Sequence, residues 1–495
     1  MPVHDRTPMT PAQQQAASAV LRSALSAGLR DAEPLARMFV RHGYELALVG
    51  GPVRDAFLGR EHGPADLDLA TDATPERVLE ITSGWADATW SVGIRFGTIG
   101  MRKGDAHFEI TTYRSERYDD TSRKPDVSYE TSLVADLSRR DFTVNAMAVR
   151  LPAIEFVDPF GGLADLRDKV LRTPGRPEDS FSDDPLRILR AARFVAELGL
   201  RLSPEVRAAM IKLAQRLDIV STERITAELT KLLCAARPGG PAAGIDLLVQ
   251  TGVADHFLPE VPRLRLEVDE HHRHKDVYRH SLTVLDQAIG LEGRYGLDRD
   301  LTLRLAALLH DIGKPGTRSL LPDGRVAFHH HDVVGAKLAR KRLKELRFPD
   351  HVTADVAKLI SLHLRFHGFG TGEWTDSAVR RFVTDAGPLL PRLHALTRAD
   401  CTTRNKAKAQ RLARSYDALE QRIDELAKRE ELARIRPDLD GNEIMDVLGI
   451  QPGPLVGQAR DRLLELRMEH GPLGRERAIQ ELLAWARDSG IAGLG

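Results

Sequence analysis

The stretch Leu46–Thr71, LALVGGPVRDAFLGREHGPADLDLAT, constrains this chain more than any other. Leu46-Ala47-Leu48-Val49 is an apolar run of strand length, and Gly50-Gly51 interrupts it. Val53 to Leu58 reads as a short helix, with Arg54 and Asp55 in its first turn. A second strand, over about 66 to 70, carries Asp66 and Asp68. Residues two apart on a strand share a face, so these aspartates present two carboxylates side by side.

Two like charges at that spacing call for a cation, and oxygen ligands suit Mg²⁺. Gly50 and Gly51, at a strand-to-helix turn, offer backbone N–H groups to phosphates. Together they describe a nucleoside triphosphate site in which two metal ions bridge an in-line displacement. Asp-x-Asp alone is common on solvated strands. Its place directly after GGPVRDAFLGR gives it weight.

At 495 residues the chain is too long for one core, and a prior of about three to four domains applies. Its formal net charge is zero, so nucleic-acid binding has to come from local patches. Cys234 and Cys401 lie far apart, which speaks against a disulfide framework or a thiolate zinc site and fits a reducing cytoplasm. No apolar run reaches membrane-spanning length, and MPVHDRTPMTPAQQQ lacks the apolar centre of a signal peptide.

The first ~15 residues read as a disordered lead, and Ala16 to His42 has helical spacing. Pro75 opens a helix, and Lys103-Gly104-Asp105 joins TIGMR to HFEITTY as a hairpin. In HFEITTY, Glu109 shares a face with Thr111 and Tyr113 and is a candidate third carboxylate near the metals, or an exposed strand residue. Residues 114 to 135 are polar and aperiodic, and read as a mobile loop. In DLSRRDFTVNAM, the adjacent Arg139 and Arg140 suit phosphate oxygens.

GGPVRDAFLGR, DLDLAT, DLSRRDFTVNAMA and DPFGGLADL, in this order, resemble the head-domain motifs of the class II tRNA nucleotidyltransferase and bacterial poly(A) polymerase family. SDDPLRILRAARF, 182 to 194, is similar to that family's nucleotide-selecting helix, and STERITAELTKLL to its neck motif. The resemblance implies that Asp184 and Arg187 read the base edge of incoming CTP or ATP. An acceptor facing an exocyclic amino group and a donor facing the ring suit cytosine and adenine, and mismatch uracil and guanine. Arg187, Arg190 and Arg193 recur every three residues on one helical face. Gly50, Gly51, Arg54, Arg139, Arg140, Asp184, Arg187, Arg190 and Arg193 are thus the expected nucleotide-binding set. Asp66, Asp68 and Glu109 are the expected catalytic carboxylates, the first two holding Mg²⁺.

Histidines gather between about 270 and 370, each in or beside an apolar-periodic helical stretch. Imidazoles and carboxylates from separate helices are what a bundle uses to hold a divalent metal. The pattern resembles the HD phosphohydrolase superfamily. His280, His310, Asp311 and Asp400 match its H…HD…D set, and His331 and His363 match the extra histidines of two-metal members. Lys314 fits the HDIGK signature. His329, His330 and His367 leave the register of His331 open. The resemblance implies a transition metal or Mg²⁺ there, and phosphohydrolase activity on 2′,3′-cyclic or 2′-phosphorylated nucleotides.

Lys341 and Arg342 on one helix, and Arg404, Lys406, Lys408 and Arg411 on another, are candidate RNA-backbone contacts or solvated faces. The expected architecture is multidomain: a lead over 1–29, an α/β head with a small mixed sheet over 30–172, and an all-α neck over 173–265. An HD domain over 266–405 and a helical tail over 406–495 complete it. The expected activity is template-independent addition of CMP and AMP to tRNA 3′ ends, with tRNA, CTP and ATP as partners. A poly(A) polymerase, or an HD phosphohydrolase with an RNA-binding head, are the alternatives. Oligomeric state is not readable.

Overall fold

The computed structural model describes residues 9–60, 66–91, 94, 97–117, 126–129, 132–266, 276–322, 326–366, 375–401, 406–430 and 435–491. They fall into two compact units, Met1–Pro262 and Arg263–Gly495.

The first unit begins with helices α1 (Pro11–Ala24) and α2 (Ser26–Arg41). Its strands are β1 (Leu46–Val49), β2 (Asp66–Thr71), β3 (Ala88–Trp90), β4 (Thr98–Lys103), β5 (Ala106–Thr112), β6 (Arg114–Arg117), β7 (Asp126–Tyr129), β8 (Ala148–Leu151) and β9 (Glu155–Val157). Seven of them form one mixed sheet, β3-β4-β5-β2-β1-β8-β9, parallel only between β2 and β5. Helices α3 (Gly51–Phe57), α4 (Pro75–Thr82), α5 (Leu133–Ser138) and α6 (Gly162–Asp168) punctuate the strands. The rest of the unit is α7 (Pro177–Asp183), α8 (Leu186–Leu198), α9 (Pro204–Leu213), α10 (Thr222–Leu233) and α11 (Gly240–Gln250).

β1 is apolar throughout because it is central and covered on both faces. Leu46, Leu48, Leu67, Leu69, Phe108 and Ile110 pack against Leu21, Leu35, Phe39 and Val78 of α1, α2 and α4. Each such buried side chain contributes about 1.5–3 kcal/mol. On the other face Ala47, Val49 and Ala70 meet Leu133, Leu137 and Ala146.

Three expectations change. Helix α1 starts at Pro11 rather than near residue 16, because Thr10 and Gln13 form a reciprocal capping box. It packs into the head core through Ala17 and Leu21, so the head begins well before residue 30. The expected loop 114–135 contains the antiparallel ribbon β6–β7 and the start of α5, with 118–125 and 130–131 outside the described residues. The all-α expectation beyond the head omits two short ribbons, Val170–Leu171 with Arg201–Leu202 and Arg318–Leu320 with Val326–Phe328.

In the second unit, helices Val277–Leu291, Leu301–Leu309, His331–Glu345, Asp350–Leu362, Asp376–Ala386 and Leu390–Asp400 build a bundle, and Lys406–Glu430 follows. The last three helices, Gly441–Leu448, Pro454–His470 and Arg475–Asp488, share a core of Leu439, Ile444, Leu463 and Leu482. Gly449 ends the first of them in the left-handed region and Pro454 opens the next. Arg380, 4% exposed, binds Glu430 at 2.7 and 3.0 Å and the carbonyls of Met468 and Glu469 at 3.1 and 3.2 Å.

Gly162, in DPFGGLADL, is tightly constrained. A Cβ there would lie 2.1 Å from the Thr143 carbonyl oxygen. Gly162→Ala is therefore expected to destabilise the first unit by about 1–3 kcal/mol. A denaturant titration followed in that unit checks this, and an unchanged midpoint contradicts the packing described.

Candidate functional site

Because β1 and β2 run antiparallel, with Leu48 opposite Leu69, the end of β1 that leads into Gly50 lies beside the start of β2 that carries the aspartates. Asp68 is the direct register partner of Glu109 on β5, and Asp66 that of His107. Register partners share a face, and strands are about 4.8 Å apart, so Asp68 and Glu109 stand side by side. Both are exposed. The side chain of Asp66 lies outside the described residues, and its backbone is two positions before Asp68 in the same strand. Adjacent carboxylates on one exposed face are a donor set that fits a hard divalent cation.

Gly50 adopts φ +75°, a conformation that favours glycine, and donates its N–H to the Met147 carbonyl at 3.2 Å. On its other side stands Arg140, whose Nη1 would be 3.1 Å from a Cβ at Gly50. Asp136, 1% exposed, holds both expected arginines: Arg139 at 2.8 Å on one carboxylate oxygen and Arg140 at 3.2 Å on the other. Burial pushes the Asp136 carboxyl up, and Arg140 and Arg139 more than reverse this, holding it below its ordinary value. Arg140, held beside Gly50 in this way, is a guanidinium that suits a phosphate.

Arg54 is placed differently from expectation. It is 9% exposed, forks onto both oxygens of Asp55 at 2.8 and 2.7 Å, and donates to Asn145 Oδ1 at 2.6 Å. Asn145 in turn donates to Asp141 at 3.0 Å, and Asp141 accepts from Arg190 Nε at 2.8 Å. Burial works against the Asp141 charge, yet Arg190 and Asn145 bring its pKa down to about 2. Arg193 is bound to Glu228 of α10 at 2.7 Å and to Glu197 at 2.8 Å. Arg54 and Arg193, the more deeply buried, are thus internal braces, whereas Arg190, like Arg139 and Arg140, binds a buried acid while keeping part of its side chain at the surface.

Asp184 is not on the helix. Pro185 disfavours helical geometry at the residue before it, so α7 ends at Asp183 and Asp184 is extended at φ −136°, ψ 97°. Its carboxylate caps Leu186 N–H at 3.2 Å and accepts from Arg224 of α10 at 3.0 Å. Arg187 donates to Ser180 Oγ at 2.7 Å and to the Arg139 carbonyl at 2.5 Å. Arg187 is therefore tied directly to the arginine motif, whereas Asp184 is tied to α10. Asp136, Asn145, Ser180 and Arg224 were not singled out as site residues, since no local pattern marks a second layer of polar partners.

In the second unit, six predicted metal ligands form two clusters, His280–His310–Asp400 and Asp311–His331–His363, each with ligand atoms within 4.8 Å of one another. Asp311 reaches toward both: Oδ2 is 3.2 Å from His310 Nε2, and Oδ1 is 3.4 Å from His331 Nε2. His280 Nε2 is 2.9 Å from Asp400 Oδ1. Nδ1 of His310, His331 and His363 meets the backbone carbonyl three residues earlier, at 2.9, 2.8 and 2.6 Å. As donors there, these rings turn Nε2 toward the cluster. His310 Nε2 and His363 Nε2 are buried without a hydrogen-bond partner, a state that a metal ion relieves. Burial, with His310, pushes His363 down to about 4, so its ring is neutral at ordinary pH. Despite burial, Asp311 and Asp400 raise His310 to about 10; despite burial, His310 and Lys314 hold Asp311 well below the carboxylate range. The register question is resolved: His331 is buried, whereas His329 and His330 are exposed, and His367 lies outside the described residues. Lys314 Nζ is 2.9 Å from Asp311 Oδ2.

Of the expected RNA contacts, Lys341 and Arg411 are exposed. Arg342 is half-buried on Glu345 at 2.9 Å, a tie that competes with phosphate. Arg404 and the side chains of Lys406 and Lys408 lie outside the described residues. Among the described residues no helix is long and apolar enough to cross a membrane.

The glycine turn, the carboxylate face and the arginine fork define a nucleotidyltransferase head, joined here to an HD-type metal bundle. The chain matches the poly A polymerase head domain over residues 46–172, the probable RNA and SrmB-binding site of polymerase A over 199–264, and the HD domain over 277–405. It is 34% identical to an A-adding tRNA nucleotidyltransferase of Deinococcus radiodurans, over 90% of this chain and 96% of the relative. It is 30% identical to a CCA-adding enzyme of Anoxybacillus flavithermus, over 90% and 94%. The fold is similar to a crystal structure of the Bacillus stearothermophilus CCA-adding enzyme in complex with CTP, with TM-score 0.60, 25% identity, and 97% and 99% coverage. The chain belongs to the family of tRNA nucleotidyltransferases and bacterial poly(A) polymerases, and is an enzyme of the nucleotidyltransferase class.

Chelator-stripped protein titrated with Co²⁺ is expected to develop the visible absorption of a histidine-containing site. Asp311→Ala is expected to weaken that binding at least about tenfold, since Asp311 approaches both clusters. Unaltered Co²⁺ affinity in the variant contradicts the cluster assignment.

Proposed function

We propose that this chain adds CMP and AMP to the 3′ end of tRNA without a template. The observation that carries this reading is the convergence of Gly50, the Asp68–Glu109 face and the Arg139–Arg140 fork on neighbouring ends of β1, β2 and β5 and the lead into β8, with Arg187 bonded to that fork. Asp66 and Asp68, with Glu109 beside them, would hold Mg²⁺, which supplies Lewis-acid activation of the terminal ribose hydroxyl and neutralises the leaving pyrophosphate. Gly51 and Arg140 bind the triphosphate, and Arg139 supports them through the shared Asp136; Gly50, expected to donate to phosphate, instead shapes the turn, since its N–H is taken by the Met147 carbonyl. Asp184 accepts from the exocyclic amine of cytosine or adenine, and Arg187 donates to the ring edge. Both bases present an amino donor beside a ring acceptor, so one pair of side chains accommodates CTP and ATP and rejects UTP and GTP.

A second reading, addition of AMP alone, draws support from the A-adding name of the Deinococcus radiodurans relative. Poly(A) synthesis shares the same head chemistry. In the HD bundle, His280, His310, Asp311, His331, His363 and Asp400 would hold one or two divalent ions for hydrolysis of a phosphate ester, the ions supplying activated water.

Incubation with tRNA lacking all or part of CCA, and with CTP and ATP singly and together, separates these readings. CCA addition gives three nucleotides in fixed order; A-addition ignores CTP; a long A tail on any RNA indicates the polymerase. Asp68→Ala is expected to lower incorporation by at least about a thousandfold while leaving RNA binding largely intact. His310→Ala is expected to leave incorporation unchanged and to remove phosphohydrolysis.

A further inference from the structure

The exposed face of the head sheet carries more than carboxylates. The registers align Trp90 of β3 with Gly100 of β4, Gly100 with Glu109 of β5, and Glu109 with Asp68 of β2. Trp90, Gly100, Glu109 and Asp68 therefore form one row across four strands, on one face. The opposite face is the apolar one, with Ile99, Met101, Phe108 and Ile110 in the core. Among the described residues Trp90 packs into neither apolar cluster of the head, and it is 38% exposed. Gly100 makes room for its ring: a Cβ there would be 1.9 Å from the indole Nε1. The ring reaches across β4 toward β5, where it meets His107 edge-to-face, with centroids 6.1 Å apart.

A strand spacing of about 4.8 Å leaves about 10 Å, two intervals, between the ring over β4 and the Asp68 position on β2. That is comparable with one nucleotide, from its sugar hydroxyl to the far edge of its base. The side is also the right one. In the proposed reading Gly51 and Arg140 hold the triphosphate beyond β2, at the end of β1 and the lead into β8. Nucleotidyl transfer is an in-line displacement, so the attacking oxygen stands opposite the departing pyrophosphate. With the triphosphate on the β1 side of the carboxylates, the attacking 3′ oxygen comes from the β5 side, toward Trp90. Arg102, exposed and in the neighbouring row with His107 and Asp66, adds a guanidinium on the same face, suited to a backbone phosphate. An exposed indole is a surface on which any base can stack, because every base has a π-face.

We propose that Trp90 is a stacking platform for the last base of the RNA acceptor, and so positions the 3′ hydroxyl at the carboxylate face. This rests on the nucleotidyl-transfer reading above. The platform serves the acceptor alone, since the incoming base is placed at Asp184 and Arg187, which are tied to α10 and to Arg139. Stacking is indifferent to base identity, so one indole serves whichever base ends the acceptor.

The test measures AMP addition to an RNA hairpin ending in CC, by wild type and by Trp90→Leu, Trp90→Phe and Gly100→Ala, with Mg²⁺ supplied. Trp90→Leu is expected to lower kcat/KM for the hairpin about 5- to 150-fold, with KM for ATP unchanged, and Trp90→Phe to keep most of the wild-type value. Gly100→Ala, whose Cβ displaces the indole, is expected to reproduce the Trp90→Leu signature and to add little to it in the double variant. Competitor hairpins ending in 3′-deoxycytidine or in an abasic sugar separate stacking from folding. Wild type is expected to bind the first more tightly, and Trp90→Leu to bind both alike. Unaltered RNA kinetics in Trp90→Leu or Gly100→Ala, a matching rise in KM for ATP, no rescue by phenylalanine, or an undiminished preference of Trp90→Leu for the base-bearing competitor overturns the proposal while leaving nucleotide addition in place. Failure of the wild type to extend any RNA 3′ end with ATP or CTP overturns the transfer reading, and this proposal with it.

Discussion

A relay of charge-assisted hydrogen bonds, Asp55–Arg54–Asn145–Asp141–Arg190, holds the head site together. It starts on α3, just after the glycine turn, crosses the segment that leads into β8, and ends on α8. Bonds to ionised groups are about twice as strong as neutral ones, and their geometry is narrow. Removing one member strands the next in a half-buried place, where an unpaired charge is costly. The segment leading into β8 and helix α8 are therefore fixed to the helix after the glycine turn by one relay. Arg187, through the Arg139 carbonyl, adds a second tie between the same two regions.

This explains which parts of the site were legible in the sequence. Local patterns were readable: the apolar run of β1, the Gly104 turn between β4 and β5, and the alternation that places Asp66 and Asp68 on one strand face. Spacing also picked out the six residues of the two candidate metal clusters, because each one sits at or beside a helix terminus or in a helix that faces the bundle interior. What spacing did not give is which arginine faces inward. Arg54 and Arg193 have the same chemistry as Arg139 and Arg140, and only deeper burial beside Asp55 and Glu228 separates them. The break at Asp184 was signalled by Pro185, but the periodic arginines beyond it extended the helix too far in the sequence reading. The β6–β7 ribbon was missed because β6, Arg-Ser-Glu-Arg, is wholly polar and the Val127–Tyr129 alternation of β7 is only four residues long.

The two units use acidic groups in different ways. In the head, the buried Asp136 and Asp141 are bound by arginine, while Asp68 and Glu109 stand exposed on the sheet face. In the HD bundle, Asp311 gathers imidazoles and one lysine, and buried Nε2 atoms remain unbonded. The head thus sets a carboxylate face that suits a cation close to arginines that suit phosphate, whereas the HD bundle gathers its acids and imidazoles into adjoining clusters.

The rings of His310 and His363 take carbonyls from the last turns of helices Leu301–Leu309 and Asp350–Leu362, groups that every helix end leaves without an internal partner. The same imidazole therefore terminates a helix and prepares a ligand. Fraying of either terminus and disassembly of the coordination sphere become one event, and a chain that keeps these helices well ended also keeps its rings aimed before any ion arrives.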